Sequence, residues 1–172
     1  MDYIINFAIL ILIYFLFFYQ RWRRKGTAGW FWRTAMYSYI VMVIYFTLMP
    51  LTLPTGSVNH FFMETANFIP FRDVMHHYGG AVREVFLNVL LMMPFGFLLP
   101  LIKKKRLFAT VFWTFAFSLA IECTQLISVW LNIGAGRAFD VTDLITNTFG
   151  GFCGYLLFSL FKQVSKRMVL IR

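Results

Sequence analysis

The chain has 172 residues, of which 60% are hydrophobic and only 13% are charged, and its formal net charge is +9. Soluble domains carry about a quarter charged residues, so this composition excludes an ordinary soluble protein and favours a single integral membrane domain over residues 1–172. The basic residues stand beside apolar runs, where such residues set membrane topology. We therefore expect membrane lipids as partners and no nucleic acid.

Five apolar stretches predict an all-α bundle of five transmembrane helices. A helix needs roughly 20 mainly apolar residues to cross the hydrocarbon core of a bilayer, and each stretch approaches that length. The first has neither a basic segment before it nor a small-residue cleavage site after it, so we expect it to stay as a membrane anchor. The predicted spans are Tyr3–Tyr19, Trp32–Met49, Val85–Ile102, Leu107–Leu131 and Val141–Phe161.

Charge predicts the orientation of these spans. In a five-span arrangement, thirteen of the sixteen basic residues fall on one side of the membrane, and the positive-inside rule makes that side cytoplasmic. The N-terminus is then outside and the C-terminus is cytoplasmic. The acidic residues fall on the opposite side or inside the spans, so we expect the functional face to be external.

The predicted external loop over residues 51–83 is long for so small a bundle. Its apolar side chains, such as Phe61, Phe68 and Ile69, are poorly suited to free solvent. We expect part of the loop to lie in the membrane interface or to fold back as a cap. A disordered tether is the alternative.

The third predicted span begins with polar residues and contains prolines. Glu84 is followed one turn later by Asn88, and then by Pro94 and Gly96. Pro94 deprives the carbonyl of Leu90 of its usual donor, which at membrane depth requires a protein or water partner. The proline therefore marks either a simple kink or the boundary of a pocket.

The fourth predicted span places Ser118, Glu122 and Gln125 on one helix face, at steps of four and three. Carboxylates within spans are rare, face the bundle interior and are usually functional. We favour a functional Glu122 over a carboxylate that pairs with an arginine only for packing.

The fifth predicted span carries Asp140, Asp143, Asn147, Gly151 and Gly154 on one face, again at steps of three and four. Its glycines allow another helix to approach closely. Packing glycines and a helix-capping role for Asp140 are the structural alternative, which accounts less well for the deeper Asn147.

Three spans thus deliver polar groups to one outward-facing depth, where we expect Glu122, Asn88 and Asn147 to meet. The external cations available to them are Arg72, Arg83 and Arg137. A Glu122 without a cation is a candidate proton carrier, whereas one bonded to an arginine would stay charged and orient a ligand. The sequence leaves both open.

Metal binding is the weaker interpretation of the external histidines. Asp73 and His76 or His77 have the spacing of one helix turn, but a zinc site needs three or four ligands in workable geometry. We expect no metal and no cofactor.

The order of these motifs resembles the VanZ-like family, over about residues 45–160. The resemblance rests on Asn67-Phe-Ile-Pro70-Phe71, Asn88 with Pro94-Phe-Gly96, Glu122 with Gln125, and Arg137-Ala-Phe-Asp140 with Asp143, Asn147, Gly150 and Gly154. It implies a small multi-pass protein of the bacterial plasma membrane, whose namesake lowers susceptibility to the glycopeptide antibiotic teicoplanin. It implies no particular reaction.

We therefore expect an outward-facing polar pocket that binds an amphipathic molecule, either a lipid-tailed glycopeptide or an envelope lipid such as a polyprenyl-linked cell-wall precursor. The ten expected ligand-binding residues are Asn67, Arg72, Glu84, Asn88, Glu122, Gln125, Arg137, Asp140, Asp143 and Asn147. The residues expected to shape the pocket are Pro94, Gly96, Gly150, Gly151 and Gly154.

Two other functions fit the sequence less well. One is a membrane enzyme that modifies such a lipid, with Glu122 or Asp143 as general acid or base. The other is a small proton-coupled transporter, which needs access from both faces. We rank the transporter last because the cytoplasmic halves of the spans carry almost no polar residues.

Overall fold

The structure, a computed structural model, describes residues 2–50, 56, 58–133 and 138–170, and gives no side-chain detail for Asp2 or residues 166–170. These ranges contain helices and no strand, so the predicted all-α class is confirmed. The α-helices are α1 (Asp2–Ile13), α2 (Gln20–Arg23), α3 (Thr27–Leu48), α4 (Arg72–Met75), α5 (Ala81–Lys103), α6 (Leu107–Trp130) and α7 (Val141–Leu170). A π-helical segment, Tyr14–Tyr19, joins α1 to α2, and a 3-10 turn covers Phe62–Thr65.

Four helical segments in the described ranges are long and apolar enough to cross a membrane. They are Tyr3–Arg23, Ala81–Lys103, Leu107–Trp130 and Val141–Ser165. The predicted second span coincides with α3, a 22-residue helix that is not among these four. The count of five spans, and the orientation deduced from it, therefore stay predictions.

The chain divides into two compact units. Unit 1 comprises residues 1–68 and 119–141, and unit 2 comprises residues 69–118 and 142–172. Each unit contains its own cluster of polar side chains.

In unit 1, the N-terminal helical segment contacts α3 through aromatic rings and hydroxyls. The ring of Tyr45 lies against Tyr3 and Phe7. The hydroxyl of Tyr37 donates to the carbonyl of Leu10 at 2.6 Å, four residues before the π-helical segment begins. No residue in the apolar window of this segment is buried, an exposure that suits a helix surrounded by lipid.

Part of the predicted external loop folds back within unit 1. The N–H of Asn59 donates to the carbonyl of Trp130, at the end of α6, and the ring of Phe62 lies against the Trp130 indole. Phe68 contacts Phe139 in the same way. Residues 58–68 therefore pack as a cap on their own unit, while residues 51–55 and 57 lie outside the described part.

In unit 2, the helices α5 and α7 are parallel to each other, and α6 is antiparallel to them. The α5–α7 contacts advance together along both helices, from Asn88 with Asp143 to Met93 with Gly154, so the two helices are parallel. The α6–α7 contacts run in opposite senses, since Ser118 contacts Asn147 whereas Thr114 contacts Gly151. The polar N-terminal ends of α5 and α7 therefore lie at the same end of the unit.

Glycines of α7 make the approach of α5 possible. A Cβ atom on Gly150 would overlap the carbonyl of Val89, and one on Gly154 would overlap the carbonyl of Met93. Likewise, a Cβ atom on Gly96 would overlap the carbonyl of Gly151. Space beside these glycines is occupied by protein backbone, so they contribute close helix packing and leave no room there for an acyl chain.

The helix α5 continues through both of its prolines, Pro94 and Pro100. It ends at Lys103, where Lys104 adopts a left-handed conformation (φ 50°) and its N–H donates to the carbonyl of Pro100. Pro94 is half-buried within this helix. It interrupts neither the helix nor its contact with α7.

Candidate functional site

Three polar residues of unit 1, Asn67, Glu122 and Asp140, form what we term the anchor cluster. Glu122 is 1% exposed, and its Oε2 accepts the main-chain N–H of Asp140 at 2.9 Å. Asn67 donates from Nδ2 to Asp140 Oδ2 at 2.9 Å. These bonds link α6 to two loop segments that are far apart in the sequence.

Main-chain pairing reinforces the anchor cluster. Asn67 donates its N–H to the carbonyl of Phe139, and its own carbonyl accepts the N–H of Val141. Asn67 and Asp140 thus form an isolated parallel bridge, immediately before α7 begins. Hydrogen bonds between a buried carboxylate and a main-chain N–H are among the stronger ones in proteins, so Glu122 fixes the path of the chain here.

Gln125 lies on α6 in the same unit but bonds elsewhere. Its Nε2 donates to the carbonyl of Thr47 at 3.0 Å, which ties α6 to the end of α3. Its Oε1 is buried and has no partner in the described part of the chain. Gln125 was predicted as a ligand residue, and its described contact is with protein main chain.

Four polar residues of unit 2, Asn88, Ser118, Asp143 and Asn147, form what we term the helix-face cluster. Asn88 donates from Nδ2 to Asp143 Oδ1 at 2.6 Å, and Asn147 donates from Nδ2 to Ser118 Oγ at 2.9 Å. Ser118 is 0% exposed and Asn147 is 4% exposed. Asn88 and Asp143 are half-buried, so the cluster has an accessible side and a buried floor.

Helix geometry sets the depth of the helix-face cluster. Asp143 lies in the first turn of α7, and Asn147 lies four residues later, about 6 Å further along the axis at 1.5 Å per residue. Asp143 is favoured at this position because the N-terminal end of a helix carries partial positive charge. The basic turn from Lys103 to Arg106 lies at the opposite end of the unit.

Three of the predicted site residues lie apart from these contacts. Arg72 makes an ion pair with Asp73, with 3.2 Å between Nε and Oδ1, and both side chains are partly exposed. Glu84 is exposed in the first turn of α5. Arg137 lies outside the described residues.

The predicted meeting of Glu122 with Asn88 and Asn147 stays a prediction. Glu122 belongs to unit 1, and the two asparagines belong to unit 2. The described contacts join Glu122 to Asp140 and join the asparagines to Asp143 and Ser118. Each cluster is thus assembled within its own unit.

Metal-binding geometry is not present in the described ranges. No group of three or more His, Cys, Asp or Glu residues is placed there to hold an ion. The histidines of the loop, His60, His76 and His77, are exposed.

Hydroxyl residues with defined contacts were not predicted as part of the site. Thr142 Oγ1 accepts the N–H of Phe71 at 3.0 Å, and Thr114 fills the space beside Gly151. Thr110 and Thr114 are fully buried, and each hydroxyl donates to a carbonyl four residues earlier, that of Arg106 for Thr110 and that of Thr110 for Thr114. The spacing of Thr110, Thr114 and Ser118, four residues apart, was the available signal for this buried face.

Two comparisons with known proteins identify the same family. A model of the VanZ/LLP1 family matches residues 36–162. Protein VanZ from Enterococcus faecium is 36% identical over 123 residues, which cover 71% of this chain and 70% of that protein. No solved structure matches the chain significantly.

Proposed function

Since the chain belongs to the VanZ-like family, we propose that it binds an amphipathic molecule at the outer leaflet of the bacterial plasma membrane and thereby lowers susceptibility to teicoplanin. Glycopeptides act outside the membrane on cell-wall precursors. The ligand is accordingly a lipid-tailed glycopeptide or an envelope lipid such as a polyprenyl-linked precursor. The helix-face cluster of unit 2 holds its polar head.

One observation carries this proposal: a hydrogen-bonded polar pair, Asn88 and Asp143, is half-buried on two apolar helices above a buried Asn147. Polar side chains within apolar spans are costly, and they mark binding or transport functions by default. Because the pair is accessible at the polar end of both helices, a head group can reach it. Loss of both side chains would leave an ordinary apolar helix contact.

The acyl chain of the ligand does not lie beside Gly150 and Gly154, whose surfaces are filled by the α5 backbone. In α5, Val82, Phe86 and Leu90 recur at steps of four and are 70%, 61% and 44% exposed, so these three form one apolar stripe. At about 100° per residue, this stripe lies on the side of α5 away from Asn88, and it faces lipid. The acyl chain therefore extends from the helix-face cluster into the surrounding lipid.

The anchor cluster supports the site without contacting the ligand in this proposal. Glu122 Oε2 is engaged with the main-chain N–H of Asp140, and that segment leads directly into α7, which carries Asp143 and Asn147. The proposed function of the anchor cluster is to fix the loop residues Asn67 and Asp140, and with them the start of α7.

The proposal is tested by titrating teicoplanin onto the protein in lipid nanodiscs, with empty nanodiscs as the reference. We expect saturable binding to the wild-type protein, and weaker binding to the Asp143→Asn variant. Asp73→Asn is the matched control, since Asp73 is a partly exposed carboxylate in the same unit that pairs with Arg72. Absence of saturable binding both to teicoplanin and to extracted envelope lipids would refute the proposal.

An enzyme that modifies an envelope lipid is the second candidate, favoured by the accessible Asp143 carboxylate beside Asn88. A general acid or base needs a reacting atom within hydrogen-bond reach, which a head group at this cluster would provide. Turnover predicts altered lipid or precursor masses in expressing cells, and Asp143→Asn abolishes the alteration. Unaltered masses together with saturable binding identify a binding protein.

A further inference from the structure

The end of unit 2 opposite the helix-face cluster carries a concentrated positive charge. The turn between α5 and α6 contains four successive cations, Lys103, Lys104, Lys105 and Arg106, of which Lys105 is half-buried and the others are exposed. Lys104 closes the end of α5 in a left-handed conformation, and its N–H donates to the carbonyl of Pro100. The turn therefore has a defined path that holds its charges close together.

A fifth cation, Lys162 of α7, belongs to the same end of the unit. The ring of Phe161, the residue before it, contacts the ring of Phe97 on α5 with 5.7 Å between the centroids. Phe97 precedes Lys103 by about 9 Å along the helix axis at 1.5 Å per residue. Because α5 and α7 are parallel, Lys162 lies near the basic turn. We term Lys162 and this turn together the basic end.

The carboxylates of unit 2 lie at the other end. Glu84 and Asp143 occupy the first turns of α5 and α7. Asp73 lies in α4, and the residue before α4 is bonded to Thr142 at the start of α7. Glu84 and Lys103 are about 28 Å apart along α5, a separation at which salt screens exposed charges. No carboxylate in the described part of this unit therefore neutralises the basic end.

Exposed aromatic rings extend from the basic end along α6. Three phenylalanines recur at steps of four and three and therefore share one side of the helix. They are Phe108, Phe112 and Phe115, which are 87%, 61% and 39% exposed. The buried Thr114, which fills the space beside Gly151 of α7, lies on a different side of α6. The phenylalanines therefore face lipid, and they begin directly beyond the cations of the turn.

We propose that the basic end binds an anionic phospholipid, with its phosphate at the exposed Lys103 and Arg106 and its acyl chains along the phenylalanines of α6. Ammonium and guanidinium groups form charge-assisted hydrogen bonds with phosphate oxygens. A lipid is favoured over a soluble phosphate because the apolar rings adjoin the cations. This site lies at the opposite end of unit 2 from the helix-face cluster, so the inference is independent of the ligand proposed there.

The test is native mass spectrometry of the full chain in a nonionic detergent, with two lipids of identical acyl chains added at increasing concentration. Phosphatidylglycerol has a net negative charge, whereas the phosphate of phosphatidylcholine is neutralised by its own ammonium. Each Lys or Arg at a membrane surface strengthens the association of anionic lipid about five-fold. Two engaged cations thus predict that phosphatidylglycerol binds about 25-fold more tightly. Equal Kd values for the two lipids overturn the proposal.

Three arginine variants test the location of the site. Arg106→Gln removes one exposed charge and should weaken the binding of phosphatidylglycerol about five-fold, with the binding of phosphatidylcholine unchanged. Arg106→Lys retains the charge and most of the preference. Arg83→Gln is the matched control, since Arg83 is exposed beside Glu84 at the opposite end of the unit, and its preference should equal that of wild type. The location is overturned if Arg106→Gln loses no more of the preference than Arg83→Gln does.

A soluble competitor distinguishes a lipid from a free phosphate. Glycerol phosphate has a phosphate head group without acyl chains, so we expect that it does not displace phosphatidylglycerol at equal concentration. Displacement under these conditions would show that the basic end accepts a soluble phosphate, and it would overturn the assignment to lipid.

Discussion

The two polar clusters differ in the groups that their hydrogen bonds join. In the anchor cluster of unit 1, the carboxylate of Glu122 bonds to main chain, and Asn67 is joined to residues 139–141 by main-chain and side-chain bonds. In the helix-face cluster of unit 2, the described bonds join side chains on neighbouring helices, and a buried acceptor is left over at Asn147. The two clusters therefore differ in their described bonding partners, which are a main-chain N–H for Glu122 and side chains on neighbouring helices in unit 2.

The largest effect is expected for a substitution that separates the helices beneath the helix-face cluster. Gly96→Val would place side-chain atoms where the carbonyl of Gly151 lies. Overpacking of this kind costs about 1–3 kcal/mol and often more when backbone must move, so the variant should lose most of its folded monomer in size-exclusion chromatography. Gly79→Ala is the control, because a Cβ atom there meets nothing within 4 Å. Equal yields of both would contradict the close packing of α5 and α7.

Removal of the buried carboxylate tests the anchor cluster. Glu122→Leu leaves the N–H of Asp140 without its described acceptor and should lower the free energy of unfolding by about 2–3 kcal/mol. Glu122→Gln retains a carbonyl oxygen for the same N–H and should cost less. The measurement is thermal unfolding in nanodiscs. A Leu variant as stable as wild type would show that Glu122 does not hold the loop.

A smaller loss is expected for Asn67→Leu. This variant removes the side-chain bond to Asp140 but keeps both main-chain bonds of the bridge, so the expected cost is about 1–2 kcal/mol. Amide hydrogen exchange at Val141 should accelerate together with the loss of stability. An unchanged exchange rate at Val141 would show that the main-chain bridge does not depend on the side-chain bond between Asn67 and Asp140.

The smallest effect on stability, with a clear effect on binding, is expected for Asn88→Leu. Asn88 is half-buried and its described bond is with Asp143 alone, so its loss should change stability by no more than about 1 kcal/mol. Binding of teicoplanin should nevertheless weaken, because Asp143 loses a partner that helps to position it. A variant that is destabilised but binds teicoplanin normally would show that Asn88 contributes to stability and not to binding.

Much of the fold follows from the sequence because long apolar runs leave few alternatives to helices. The predicted spans 85–102, 107–131 and 141–161 correspond to α5, α6 and α7. Periodicity also placed Asp143, Asn147 and Gly154 on one face of α7. These features depend only on local composition and helical spacing.

The partners of the polar residues depend on long-range contacts, which spacing does not encode. Asn67 and Asp140 are 73 residues apart in the sequence, and the main-chain N–H that Glu122 binds has no sequence signature. Position in an apolar span favoured a ligand function for Glu122, which stays a prediction, and spacing gave no indication of its bond with the main-chain N–H of Asp140. Glycine spacing predicted the close approach of a helix, but not that carbonyls of α5 fill the space beside Gly150 and Gly154.

The most direct measurement compares Glu122→Gln with Asp143→Asn in the same nanodiscs, recording the melting temperature and the Kd for teicoplanin of each. Both substitutions replace a carboxylate with an amide. The two-cluster account predicts that Glu122→Gln lowers the melting temperature and keeps the Kd, whereas Asp143→Asn keeps the melting temperature and weakens binding by about ten-fold. The reverse pattern, in which binding depends on Glu122 and stability on Asp143, would contradict it.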